Sequence, residues 1–329
     1  MKQINWDIIG CGDVTEKKSG PAFSMVPGSA LLAVMRRTPG LAADYARRHG
    51  VPRWYSCADD LIHDPEVNAI YVATPPSSHL EYAVKAMRAG KPVYVEKPMA
   101  ASFGDCVTMV KESEKTGIPL FVAYYRPFMP YFRKVKELLS AGKTGIVRHI
   151  NIRLHSQPRP VDLSDGNLPW RVQPEIAGGG YFYDMAPHQL NLLIHLFGVP
   201  ELVSGISHRR KKIYPAEDGV TASLVFPGNI PCFGSWNFVA EPHEEADYIE
   251  ILGSSGKLTF STFGFTPVEL CNEEGCEEFP VEKNETVQFQ LIREVVRALL
   301  EERPMLHLLT EAVETNRILD IILGKNRLK

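Results

Sequence analysis

Apolar and polar positions follow two different rhythms along this 329-residue chain, and the change falls near residue 124. Through about residue 122, short β-branched or aromatic runs (INWDII, ALLAVM, NAIYVAT, PVYVE, PLFVAY) alternate with longer amphipathic stretches at 14–26, 40–49, 77–89 and 103–116. Strands separated by helix-length segments predict βαβ units and a parallel sheet. At YYRPFMP, Tyr124 to Pro130, two prolines break the pattern, and an amphipathic helix over YFRKVKELLSAG leads out of it. The expected domains are therefore 1–123 and 124–329.

Beyond the break, GIVRHINIRLHSQ reads as a long strand, followed by a Pro-rich loop at 158–177 and a helix over 181–197. Strands are expected at 201–213, 219–226, 230–239, 246–252, 257–261, 267–271 and 277–282. Their connections PGN, GSSG and NEEG are hairpin-type turns, which predicts a mostly antiparallel second sheet. Helices at roughly 285–301 and 309–322 close the chain. The expected fold class is α/β: a doubly wound parallel sheet, then an α+β domain.

Composition narrows the function classes. With 44% hydrophobic and 23% charged residues the chain can fill two cores, and a net charge of -3 gives no reason to expect nucleic acid. The basic run His208 to Lys212 reads as a strand end or solvated loop. MKQINWDIIG enters a strand-like run without the apolar core of a secretory signal, and the longest apolar run, LNLLIHLFGV, is interrupted by His195. A cytoplasmic protein without membrane association is expected, with His195 a satisfied core residue. Cys11, Cys57, Cys106, Cys232, Cys271 and Cys276 include no CxxC pair and read as free thiols packed as small apolar groups.

Candidate chemistry lies at four places. In DIIGCGDV, Gly10 and Gly12 follow an apolar strand at the spacing of a dinucleotide fingerprint, with Asp13 and Val14 opening the next helix, where backbone amides meet a pyrophosphate. Thr15 replaces the third glycine. The second strand ends in Arg36 and Arg37, where NAD-specific domains normally place an acid. A guanidinium fork suits a 2'-phosphate and favours NADP(H), with NAD(H) as the alternative if both arginines are merely solvated.

Ligands of open α/β sheets collect beyond the carboxyl ends of the strands, so Thr74, Pro75 and His79 in ATPPSSH, and Glu96 and Lys97 in VYVEKP, are expected to line the cofactor cleft. Lys97 there projects an ammonium group toward a nicotinamide and a hydroxyl-bearing substrate. In GGGYFYDMAPHQLNLL a triple-glycine turn opens an apolar helix on which Asp184, His188 and Asn191 share one face, and three polar groups on one face want a common partner. Histidine exchanges protons near neutral pH. No metal site is expected, because this pair supplies too few ligands and no HExxH spacing occurs.

Taken together, the Gly10/Gly12 turn, TPPSSH, EKP and GGG...DMAPH resemble, in order and spacing and over nearly the whole chain, the Gfo/Idh/MocA family of NAD(P)-dependent oxidoreductases. The resemblance implies a Rossmann domain, an open, largely antiparallel carboxyl-terminal sheet, a homo-oligomer (dimer or tetramer) built on that sheet, and redox chemistry on sugars, inositols and related polyols. It further implies a cis Lys97-Pro98 peptide, Lys97 at the reacting oxygen, Asp184 on a substrate hydroxyl and His188 as general acid or base. Trp170 and Arg171 in LPWRVQPE match a pair that approaches NADP in some family sugar reductases; loop packing is the plain alternative. Ala186, Pro187 and Asn191 depart from the family's Gly or Ser before the histidine and Asp after it, and Pro127 stands where a second arginine is common.

The expected activity is hydride transfer between nicotinamide and a hydroxyl or carbonyl carbon of a sugar, inositol or polyol. Two alternatives stay open: redox-neutral glycoside cleavage or epimerisation with a retained NAD(H), and a non-catalytic NAD(P)-binding regulator.

Overall fold

The computed structural model describes residues 3–325 apart from 165, 167, 282–285 and 304. The strand expected over 277–282 and the helix expected over 285–301 each include a residue outside that set. The described residues of Met1–Tyr125 and Asn284–Val313 form one compact unit, and those of Arg126–Lys283 and Glu314–Lys329 form another.

The first unit carries six parallel strands: β1 (Ile4–Ile9), β2 (Ser29–Met35), β3 (Arg53–Tyr55), β4 (Ala69–Val72), β5 (Val93–Val95) and β6 (Leu120–Val122). Their order is β3-β2-β1-β4-β5-β6. Chain order reverses direction across the sheet between β1 and β4, which makes a crevice at their carboxyl ends. β4, β5 and β6 are buried at every residue, as helices on both faces of a parallel sheet require.

Two local features differ from the sequence expectation. β3, the three half-exposed residues Arg-Trp-Tyr at the sheet edge, has no apolar run to announce it. The single helix expected over 14–26 is two, Asp13–Lys17 and Gly20–Met25. The break sits where a Cβ on Gly20 would lie 2.1 Å from the Thr15 carbonyl oxygen.

The division at 123/124 also differs from the observed units, because the chain returns to the first one. The amphipathic helix Phe289–Leu300 buries Leu291, Ile292, Val295, Val296 and Leu299, packing on the Gly20–Met25 helix and β1. Leu309, Ala312 and Val313 then join the core around Ile70, Val93 and Met109.

In the second unit eight strands form one sheet: β7 (Val147–His155), β8 (Leu202–His208), β9 (Gly219–Phe226), β10 (Ile230–Asn237), β11 (Ala246–Gly253), β12 (Gly256–Phe260), β13 (Val268–Asn272) and β14 (Gly275–Phe279). The order is β14-β13-β12-β11-β7-β10-β9-β8, and every neighbouring pair is antiparallel except β7 with β10. Alternation gives one buried face, with Ile150, Ile152, Leu224, Trp236, Ile251 and Leu258, and one open face that shows Leu202, Ile206 and Phe233. The helix Tyr181–Phe197 brings Phe182 edge-on to Trp236 at 5.0 Å between ring centres.

The cysteines correct one expectation. Cys11, Cys106 and Cys232 are buried free thiols, but Cys57 is exposed and Cys271 and Cys276 form a disulfide. The β13–β14 register sets those two opposite each other, a relation that their sequence spacing alone does not reveal. Among the described residues no helix is long and apolar enough to cross a membrane.

Candidate active site

Gly10 lies at φ +93° directly after β1, and a Cβ there would come within 2.8 Å of Thr74 Cγ2, so only glycine lets the turn pass so close to the end of β4. The Gly10 and Cys11 amides both donate to the Met35 carbonyl of β2. Gly12, Asp13 and Val14 open the Asp13–Lys17 helix, whose first backbone amides have no partner within the helix. Nothing crowds this cradle: a Cβ on Gly12 would meet only the Gly10 carbonyl, at 3.9 Å. Thr15 is buried, its hydroxyl donating to Gly12 O at 2.7 Å, which stiffens the turn in place of a third glycine. Arg36 Nη1 donates to Cys11 O at 3.3 Å, so this guanidinium lies along the turn; Arg36 and Arg37 are both exposed.

At the ends of β4 and β5 the predicted residues divide. Thr74 and Pro75 are half-buried, and Thr74 Oγ1 accepts from the Ser78 hydroxyl at 2.8 Å. His79 does not line a cleft. It is fully buried, with Nε2 2.7 Å from Thr74 O and Nδ1 3.1 Å from Pro98 O, and burial lowers its pKa. Its two ring nitrogens face carbonyls of the loop after β4 and the loop after β5, a structural task.

Glu96 is 6% exposed and held from three sides: Tyr71 Oη and Gln288 Nε2 each donate to Oε1 at 2.6 Å, and the Lys97 amide donates to Oε2 at 3.1 Å. Burial, then the Glu96 charge, pushes the Tyr71 hydroxyl well above its ordinary pKa, so it stays a donor. Tyr71 also reaches Ser19 Oγ at 3.0 Å, and Gln288 accepts from Tyr94 Oη at 2.8 Å. The Lys97-Pro98 peptide is cis and Lys97 is half-buried. Sequence reading missed Tyr71 and Gln288. A tyrosine inside the apolar run NAIYVAT was a hint for the first, whereas Gln288 lies 192 residues from Glu96 and gave none.

In the second unit the helix Tyr181–Phe197 starts where a Cβ on Gly180 would lie 2.8 Å from both Ala216 Cβ and Glu217 O. Glu217 Oε1 accepts from the Gly180 amide at 2.7 Å, placing a carboxylate at the positive end of the helix. Arg171 Nε donates to Asp184 Oδ2 at 3.2 Å, and its guanidinium lies 4.5 Å from the centre of the Trp170 ring. The loop pair and the helix acid are therefore one assembly. His188 is 5% exposed and faces the Phe263 ring edge-on, 5.7 Å between centres.

Two helix residues fall outside this group. Asn191 is buried with Nδ2 on Thr315 Oγ1 at 3.2 Å, so it has a partner of its own on the last helix. His195 is half-buried with Nε2 3.1 Å from Lys136 Nζ, at the surface rather than in the core. Beside the helix start, Ser156, Gln157, Arg159, Tyr181, Met185 and Phe238 line a small open cleft.

Residues 4–124 match the oxidoreductase family with a NAD-binding Rossmann fold, and residues 132–259 match the GFO/IDH/MocA C-terminal domain. Oxidoreductase P35 of Formosa agariphila is 37% identical over 322 residues, covering 98% of this chain and 99% of that protein. The chain belongs to the Gfo/Idh/MocA family of oxidoreductases. Membership makes the first unit a NAD(P)-binding Rossmann domain and the chain an enzyme of the oxidoreductase class.

Among solved structures, KijD10, a 3-ketoreductase from Actinomadura kijaniata in complex with NADP and TDP-benzene, superimposes with a TM-score of 0.84 at 21% identity, covering 97% of each chain. Levoglucosan dehydrogenase in complex with NADH and L-sorbose gives 0.86 at 20% identity, covering 97% and 96%. At these identities they establish the shared fold.

Proposed function

We propose that the chain is a dehydrogenase or reductase that moves a hydride between NADP(H) and a hydroxyl-bearing or carbonyl carbon of a sugar, inositol or related polyol. The observation that carries the reading is the Arg171–Asp184 contact on the helix that also bears His188. A guanidinium fixes the orientation of the carboxyl group, which leaves it placed to accept from a substrate hydroxyl. The neighbouring cleft is edged by the polar groups of Ser156, Gln157 and Arg159, which suit a hydroxyl-bearing ligand. Levoglucosan dehydrogenase, seen with L-sorbose, carries sugar chemistry in its name, which supports the substrate class.

A bound nicotinamide supplies the hydride donor or acceptor. The Gly12, Asp13 and Val14 amides would hold its pyrophosphate, and Arg36 would pair with a 2'-phosphate. Imidazole nitrogen of His188 takes the proton from the reacting hydroxyl in oxidation and returns it in reduction. Lys97, as the ammonium group at the end of β5, would stabilise negative charge that develops on a substrate oxygen. Glu96, fixed by Tyr71 and Gln288, orients the backbone that carries Lys97. The reading includes assembly as a dimer or tetramer through the open sheet face and a cytoplasmic location.

Lys97→Met and His188→Ala each remove a group needed in the transition state, so turnover should fall by about a hundredfold or more with little change in cofactor affinity. Steady-state kinetics beside a cofactor titration separate the two effects. Turnover retained in both variants overturns the assignment.

A further inference from the structure

The β13–β14 hairpin carries chemistry for which hydride transfer has no use. Its register pairs Cys271 with Cys276 and Glu269 with Glu278, so two sulfurs and two carboxylates stand on one face, the open one. The Glu269 carboxylate oxygen and both sulfurs lie within 4.8 Å of one another. Lys257 of β12 pairs with Cys271 and reaches Glu250 at 3.2 Å, which adds one cation to the same face. β14 itself is an edge strand exposed from Gly275 to Glu278, with only Phe279 half-buried, so apolar burial does little to hold it.

We propose that the reduced hairpin is a zinc site, with Cys271, Cys276 and Glu269 as ligands and water or Glu278 in the fourth position, and that the disulfide is its metal-free oxidised form. Tetrahedral Zn²⁺ with Zn–S near 2.3 Å and Zn–O near 2.1 Å places its sulfurs about 3.8 Å apart and sulfur from oxygen about 3.5 Å apart. These spans fit within the observed cluster once the sulfurs are no longer bonded to each other. The spacing Cys-x4-Cys lies within the range that zinc sites use. A small dithiol reduces the disulfide, giving two thiols and its own cyclic disulfide. Binding of Zn²⁺ to two thiols and a carboxylate then releases two protons and leaves a site of net charge -1. Either state staples the edge strand: a covalent bond when oxidised, a metal when reduced.

The test uses the full chain, reduced with a phosphine that is removed before titration, and Co²⁺ followed by Zn²⁺ as the probe. One Co²⁺ per chain should bind with a thiolate-to-cobalt charge-transfer band, release about two protons, and be displaced by Zn²⁺. The wild-type chain with its disulfide intact should give no band, which serves as a comparison free of any folding defect. The band should vanish in Cys271→Ser/Cys276→Ser and persist in Cys57→Ser. Because even the outer partners of a metal ligand are worth about 10- to 100-fold in affinity, Glu269→Gln should weaken binding at least about tenfold. Failure of the reduced chain to take up cobalt, uptake that survives loss of both cysteines, or unchanged affinity in Glu269→Gln overturns the proposal.

Discussion

Replacing Asp7 should stabilise the protein, by an amount that grows with pH. Asp7 sits in β1 between Ala33 of β2 and Ile70 of β4, is 0% exposed, and neither carboxyl oxygen has a hydrogen-bond partner among the described residues. Burial raises its pKa well above the ordinary 3.8; Lys91 opposes the shift and Asp64 adds to it. An acid whose folded pKa exceeds its unfolded value stays protonated in the fold, so above about pH 4 the folded chain holds more protons than the unfolded one. Stability is then fully present below that pH and falls as pH rises, until the folded pKa is passed.

The slope is at most about 1.4 kcal/mol per pH unit, and a buried polar group without a partner costs about 1–3 kcal/mol even when neutral. Asp7→Val removes both costs and adds a β-branched residue to a central strand. Lys91 keeps its bond to the Asp64 carbonyl oxygen at 2.6 Å. A gain of about 1–3 kcal/mol is expected at pH 5, with a larger gain at pH 8. Asp7→Asn keeps the polar cost and should gain only the pH-dependent part. Urea unfolding at both pH values measures this; a variant no more stable than wild type at pH 8, or a gain that does not change with pH, refutes the argument.

Arg36→Ala should weaken NADP(H) binding by about tenfold or more, as loss of a charge-assisted contact implies, while leaving NAD(H) binding little changed; equal losses in a fluorescence titration would contradict a 2'-phosphate role. Tyr71→Phe deletes a buried donor to Glu96 and should lower stability by about 1–3 kcal/mol in urea unfolding; no loss would show that Gln288 alone satisfies that oxygen.

How much of this was legible in the sequence follows from the range of the forces involved. The glycine turn and the helix Tyr181–Phe197 were readable because a local pattern, an apolar run beside glycines, sets each one. The second-unit strands were located to within a few residues by their hairpin turns, and the ends shifted where Leu202–His208 stops short of the charged loop. β3 is too short and too exposed to leave a periodic signal. Polar partnerships were the least visible. Asn191 shares the helix face of Asp184 and His188 by spacing, yet meets Thr315, 124 residues away. His79 lies in a loop pattern that suggests a ligand wall, but the turn of the chain buries it against three backbone carbonyls. Gln288 and the Cys271–Cys276 pair likewise depend on tertiary return and strand register.

The central claim is hydride transfer with an exchangeable nicotinamide, and its most direct test is to follow reduced cofactor by absorbance while purified protein meets NADP+ or NAD+ and a panel of inositols, aldoses, anhydrosugars and glycosides. Stoichiometric accumulation of NADPH with at least one sugar or polyol is the predicted result. Bond cleavage or epimerisation without net reduction, or tightly retained cofactor and no turnover with any of them, would contradict it.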